Sequence, residues 1–362
     1  MAYVACTCCR QSLHVQSQLK RLNKSPLKSI KSPDGDIIDC IHIYDRPAFD
    51  HPLLKNNKIQ KRPALHPKIT FGMRNVSVKP ITQLWQLNGE CLAETILIRR
   101  TRKRDILRAG SIQAFGKKKY LTFPLSNTTK TIPGQNLKEY AIAYRASGRK
   151  YYGAKASLSI WNPRVEQRNE FSVSQIWVYN QLYGDNNTRL FIYWTSDRYV
   201  STGCYNLLCK GFIQENKEIV LGGTLTQVSV HNGVQHDLKV YIFQDPMVGN
   251  WWLQYGDKML GYWPSSLFTY LNESATSIVN RQEGGQHTTT EMGSGRFPIE
   301  GLGNAAYFKH IQYLDQEQKL KDARSLHTVI TRPTCYDLRI RYGGEMKTHF
   351  YHGGPGRNPD CP

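Results

Sequence analysis

The string EMGSGRF, residues 291–297, sets Ser294 between two glycines, a tight turn of the kind that can present a nucleophilic hydroxyl. Acyl transfer from such a serine goes with the G-x-S-x-G turn and a histidine partner. That spacing is absent, so Ser294 reads as structural. GGPGRNPDC, residues 353–361, is glycine-rich but follows no strand–helix signature, and it reads as a loop rather than a phosphate cradle. SPDGDIID holds three aspartates without the order of a calcium loop. No C-x2-C pair is matched by a second pair or by closely spaced histidines, which argues against structural zinc. There is no H-E-x-x-H, P-loop or dinucleotide fingerprint. No cofactor and no metal are implied. Two carboxylates remain as candidates for proton chemistry, Glu283 in RQEGG and Glu291 in HTTTEMGSG; the GGE at Glu345 lies in the tail and is set aside.

The elements that would position these residues change character along the chain. QSQLKRLNK reads as a short helix, SPDGD as a turn, and RPAFDHPLL and KRPALHPK as proline-broken extended segments. ITQLWQLNGEC reads as strand and turn, ETILIRRT as a strand, and RKRDILRAG as a basic helix closed by Gly110. From residue 138 onwards short alternating runs follow one another: EYAIAYRA, YYGAKASLSIWNP, EFSVSQIWV, RLFIYWTSD, GFIQ, VLGGTLTQVSV, HDLKVYIFQD, NWWLQY and KMLGYWP. They are rich in Tyr, Trp, Ile and Val and are separated by Gly, Asn and Asp turns. This spacing predicts a mainly β chain, an antiparallel β-sandwich or barrel. Helix is nearly absent there, with PSSLFTYL after Pro264 the exception.

The 362 residues carry a formal charge of +20, and its distribution is uneven. Residues 1–130 hold 24 Lys and Arg against 8 Asp and Glu, while residues 131–362 hold 24 against 20. The basic first third suggests nucleic acid, acidic lipid, an acidic partner domain or a solvated surface. No run of about 18 apolar residues exists to span a membrane. Sequons begin at Asn23, Asn75, Asn127, Asn186 and Asn272. Cys204 and Cys209 bracket four residues, and Cys335 and Cys361 flank the tail; these are either buried thiols or disulfides, and a secreted chain favours disulfides. MAYVACTCCR has no basic n-region of a signal peptide, so either the true amino terminus lies elsewhere or this copy stays in the cytosol.

One stretch breaks the strand–turn alternation. At WVYNQ, residues 177–181, an aromatic strand meets a second aromatic segment with no Gly, Pro or Asp between them. The strings YGDNNTRLFIYWTSD, GCYNLLCKGFIQ, GNWWLQYG, GYWPSSLFTYL, HTTTEMGSGRFPIEG and FYHGGPGRNPDCP resemble the neprosin-domain proteins of plants. LKRLNKSPLKSIKSPDGDIIDCIHIYDRPAFDHPLLKNNKIQKRP resembles that family's activation peptide.

The resemblance covers roughly residues 14–362 and implies a secreted protein whose small basic α+β pro-segment packs on an antiparallel β-sandwich catalytic-type domain. Residues 1–13 stay unassigned, 14–120 become the pro-segment, 121–137 a linker and 138–362 the β-sandwich. The implied activity is that of a glutamic endopeptidase, proline-directed at acid pH, acting on proline-rich peptides, with neither nucleic acid nor membrane as partner. The implied disulfides are Cys204–Cys209 and Cys335–Cys361, with Cys40 and Cys91 as a further pair. Such a peptidase needs two carboxyl groups across a cleft, one to activate water and one held protonated. The family places its first glutamate in a stretch reading like IEAGWQV after SQIWV, and its second in one reading like WGGEV before the VN…HTSTQMGSG string. Here neither stretch has a counterpart: the gaps fall at Val178/Tyr179 and at Ile278/Val279. The resemblance therefore implies an inactive copy, with Glu283 and Glu291 as substitutes to weigh. An alternative is a non-catalytic secreted sandwich that binds peptide or cell-wall glycan in an aromatic groove lined by Trp177, Trp194, Trp251, Trp252 and Trp263.

Overall fold

The computed structural model describes residues 15–67, 83–108, 115–116, 139–167, 172–176, 193–194, 204–208, 210–268, 275–284 and 288–362. The structure is mainly β, and every strand pairing among the described residues is antiparallel.

The first third forms a small α+β unit. Helix α1 spans 15–22. Strands β1 (Lys28–Lys31), β2 (Ile37–His42) and β3 (Thr95–Arg99) make one sheet in that order. The β1–β2 turn works because Gly35 takes φ +80°, a backbone that a side chain would strain, and because the Asp36 amide donates to Asp34 Oδ1 at 3.1 Å. Helix α2 runs over Lys103–Arg108, within the stretch read as a basic helix.

ITQLWQLNGEC, read above as strand and turn, instead folds as a 3-10 helix over Leu84–Asn88. The cause is local: the Gln83 side chain accepts from the third residue's amide while Gln86 Oε1 takes the Gln83 amide at 3.0 Å.

The β-domain carries the remaining strands. In chain order they are β4 (Glu139–Tyr151), β5 (Gly153–Ser159), β6 (Val173–Ile176), β7 (Tyr193–Trp194), β8 (Cys204–Tyr205), β9 (Ile213–Gln214), β10 (Asp237–Gln244), β11 (Trp251–Tyr255) and β12 (Lys258–Trp263). There follow β13 (Ala275–Gly284), β14 (Ala306–Leu314), β15 (Leu320–Asp322), β16 (His327–Ile330), β17 (Asp337–Arg341) and β18 (His349–Gly353). A large sheet runs β17-β18-β14-β5-β10-β11-β12-β9, with β15 added beside β14; a second runs β16-β4-β13-β6.

β10, β11 and β12 are buried on both faces, which obscures the in–out alternation that a half-solvated strand would show. Leu253, Trp251 and Trp263 belong to a core shared with Ala141, Ala143 and Tyr151 of β4, and Tyr151 meets Tyr313 edge-on at 5.3 Å. Phe243, Trp252 and Tyr262 point the other way, towards the first third of the chain, where His66 stands edge-on to Phe243 at 5.2 Å.

VLGGTLTQVSV, read as a strand, forms no strand. The Val220 amide and carbonyl both go to the Gln83 side chain, at 2.8 and 2.9 Å, and Leu225 makes a single isolated bridge to Gln83 in place of a ladder.

Among the described residues two disulfides have both partners in view: Cys40–Cys91 ties β2 to the loop after the 3-10 helix, and Cys335–Cys361 ties the approach to β17 to the carboxyl-terminal end. Cys204 is also disulfide-bonded, and Cys209 lies outside the described residues. Among the described residues no helix is long and apolar enough to cross a membrane.

Candidate active site and the pro-segment contact

β6 and β13 are neighbours, and Ile176 faces Asn280. In the chain, Ile176 lies two residues before Val178/Tyr179, and Asn280 lies just after Ile278/Val279. Residues 177–192 lie outside the description, Trp177 and the Val178/Tyr179 junction among them. Across the other junction β13 is unbroken, with Ile278 facing Arg145 and Val279 facing Tyr144 of β4. Just before it the register slips: Ala275 faces Tyr151 while Ser277 faces Ala146. β4 thus takes five steps where β13 takes two, a bulge on the longer strand.

Glu283 stands at the opposite end of β13, facing Tyr140 and Val173 in the backbone register. Glu291 lies beyond the sheet and is engaged elsewhere. Its Oε2 accepts the Arg164 amide at 2.8 Å, its own amide donates to the Arg164 carbonyl at 2.9 Å, and the Arg164 guanidinium stands 3.8 Å from Oε1. Ser294 is buried, and its hydroxyl accepts the Arg296 amide at 3.3 Å. Trp251, Trp252 and Trp263, weighed above as groove residues, are core: none exposes more than 6% of its surface. Trp194 is described as part of β7 by its backbone alone. The sequons at Asn75, Asn127, Asn186 and Asn272 all lie outside the described residues.

A second constellation was not legible in the sequence. The extended stretch 57–67 lies against β10–β12 and is gripped through side chains of the large sheet. Asp245, fully buried after β10, accepts the Ala64 amide at 2.6 Å and Gln60 Nε2 at 2.8 Å. Asn250 Nδ2 donates to Gln60 Oε1 at 2.8 Å, and the Tyr262 hydroxyl accepts the Gln60 amide at 2.9 Å. Gln254 Oε1 stands 2.9 Å from His66 Nε2. A buried carboxylate that takes a main-chain N–H and a side-chain amide is a specific peptide grip, because each donor left unsatisfied would cost about 1–3 kcal/mol. Burial raises the Tyr262 hydroxyl pKa, with Glu215 adding to the shift and the bonds from Gln60 and Asn57 opposing it, so this group stays protonated.

Other anchors lie away from this stretch. Arg46 Nη1 bonds Glu215 Oε1 at 2.7 Å and the Gln214 carbonyl at 3.1 Å, and Ala48 and Leu54 enter the main core. Trp85 and Val220 share a small core with Ile30, Ile38 and Leu97. Thr224 donates to Asp34 Oδ2 at 2.5 Å. Burial opposes ionisation of Asp34, but donors at Ser32, Thr224 and Asp36 outweigh it and hold the carboxyl below its ordinary range.

Residues 155–355 match the family model described as Neprosin, and residues 29–144 match that of the Neprosin activation peptide. The chain belongs to the neprosin family. In a neprosin-family protein the grip on 57–67 is the association of the chain's own pro-segment with its β-domain. The activation-peptide match ends inside β4 and the Neprosin match begins inside β5, so β4, which pairs with β13 and β16, joins the two matched regions. The disulfides fit an extracellular neprosin-family protein.

Proposed function

We propose that this chain descends from neprosin-type glutamic peptidases, secreted and proline-directed at acid pH, and that it has itself lost the catalytic step. The observation that carries this reading is the uninterrupted β13 ladder across Ile278/Val279. A continuous strand at this junction, with the bulge of β4 just before it, supports a reading in which the second glutamate string is missing. Glu283 lies away from the junctions by at least four residues of β13, and the Arg164 contacts of Glu291 hold it in a loop. On this reading neither Glu283 nor Glu291 supplies the carboxyl couple that water activation needs. Incubating the purified chain at acid pH with proline-containing peptides tests this: no cleavage is expected. Cleavage abolished by Glu291→Gln would overturn it.

A second reading is a non-catalytic module that binds extended proline-containing peptides. It is favoured by one observation: Asp245, Asn250, Gln254 and Tyr262 already hold such a stretch, with Pro63 and Pro67 in it, by main-chain and amide contacts. A peptide copying residues 57–67 should then bind the chain only after the intrinsic stretch is weakened by Gln60→Ala.

A further inference from the structure

The stretch 57–67 lies inside a closed loop of the chain: Cys40 and Cys91, 51 positions apart, are disulfide-bonded across it. Each flank has its own anchors. Ahead of the stretch, Ala48 and Leu54 enter the main core and Arg46 bonds Glu215 at 2.7 Å. Behind it, Gln83 holds both backbone groups of Val220, and Trp85 shares the small core with Val220. Within the stretch, one oxygen does much of the holding: Gln60 Nε2 and the Ala64 amide both donate to Asp245 Oδ2, at 2.8 and 2.6 Å. Between these two donors the chain bends, and the side chains of Lys61 and Arg62 are exposed. Among the described residues neither of them makes a hydrogen bond or ion pair. Under the stretch, the cross-strand row Phe243, Trp252 and Tyr262 is fully buried, and the Trp252 indole N–H has no acceptor.

We propose that the Lys61–Arg62 bond is a processing site for a serine endopeptidase directed to basic residues, and that cutting it uncovers the aromatic row without releasing the pro-segment. Water is the co-reactant. The amide bond breaks, the Lys61 carbonyl carbon takes the hydroxyl and becomes a carboxylic acid, and the Arg62 nitrogen takes the proton as a new amino terminus. An exposed, bowed tip is where a peptidase gains access to a folded chain. The neighbouring basic positions suit it less. The Arg62–Pro63 bond is a tertiary amide with a fixed φ. The Lys58 carbonyl accepts the Asn57 side-chain amide at 3.2 Å, and the Gln60 amide two residues on is tied to the Tyr262 hydroxyl. A cut at Lys61–Arg62 puts Gln60 and Ala64 on different ends, so each donor must find Asp245 without the other holding it in place. The disulfide bracket and the anchors on both flanks keep the two ends on the molecule. The site is independent of both functional readings: it uses neither junction, and it stands whether or not the uncovered row meets a peptide.

The experiment is limited digestion of the full-length chain with trypsin, read by mass spectrometry and by denaturing gels with and without reductant. The expected first product is a single species heavier by one water, which reductant splits into residues 1–61 and 62–362. The surface variant Lys61→Gln/Arg62→Gln should lose this product. Hydroxyl-radical labelling, located by mass spectrometry, should mark Trp252 in the cut chain and leave it unmarked in the intact one. A first cut at another bond, a double variant that yields the product as fast as the parent, pieces that part without reductant, or a Trp252 equally shielded before and after the cut would each overturn the proposal.

Discussion

Asn280 of β13 stands opposite Ile176 of β6, and this pairing brings together two sites that lie about a hundred positions apart in the chain. Each of these residues lies within two chain positions of a junction at which the proposed loss of a glutamate string falls. Glu291→Gln is then expected to leave the absence of peptidase activity unchanged and to cost at most about 1 kcal/mol of stability, because the Arg164 pair is partly solvated. A urea titration alongside the acid-pH peptide assay checks both halves.

The Asp245 grip on the pro-segment should be separable from the fold of the β-domain. Gln60→Ala removes two side-chain hydrogen bonds, to Asp245 and Asn250, and should cost about 1–2 kcal/mol. The expected signature is faster limited proteolysis within 57–67 with little change in the β-domain core. Asp245→Asn should act more strongly, since it weakens the acceptor for the Ala64 amide in a fully buried site.

Arg99 organises the pro-segment. Its guanidinium holds Asp36 at 2.7 and 3.0 Å and Asp105 at 3.3 Å, and all three residues are buried. Arg99→Met leaves two buried carboxylates short of their main counter-charge. A loss of about 3–5 kcal/mol is expected, read from chemical denaturation.

His352 makes stability depend on acid. It is fully buried against Phe308 and Phe350, and neither ring nitrogen has a hydrogen-bond partner. Burial lowers its pKa from 6.5 to about 3. The unfolded chain therefore binds this proton from about pH 6.5 downwards while the folded chain refuses it. Stability should fall as pH drops from about 6.5 towards 3, at about 1.4 kcal/mol per unit for this residue. His352→Leu should flatten the slope of melting temperature against pH over that window.

Asp34 acts lower on the pH scale. Its folded pKa lies below the ordinary 3.8, so its contribution is present above that value and is lost as pH falls through the lower folded one. Thr224→Val removes one of the donors and should narrow this loss, seen as weaker acid dependence of pro-segment protection.

By itself the sequence determined the strand-rich body, the basic first third and the two helices near 15–22 and 103–108. These follow from local alternation, turn residues and aromatic strings that need no partner to be recognised. The tertiary structure alone decided that VLGGTLTQVSV is no strand, since the Gln83 side chain, 137 positions away, takes both backbone groups of Val220. It alone decided that Trp251, Trp252 and Trp263 are core, because burial on both faces of β11 and β12 depends on what the first third covers. It also placed Asp245 under the pro-segment. A side chain's partner across a sheet is fixed by register and packing, and those are set by residues a hundred or more positions away.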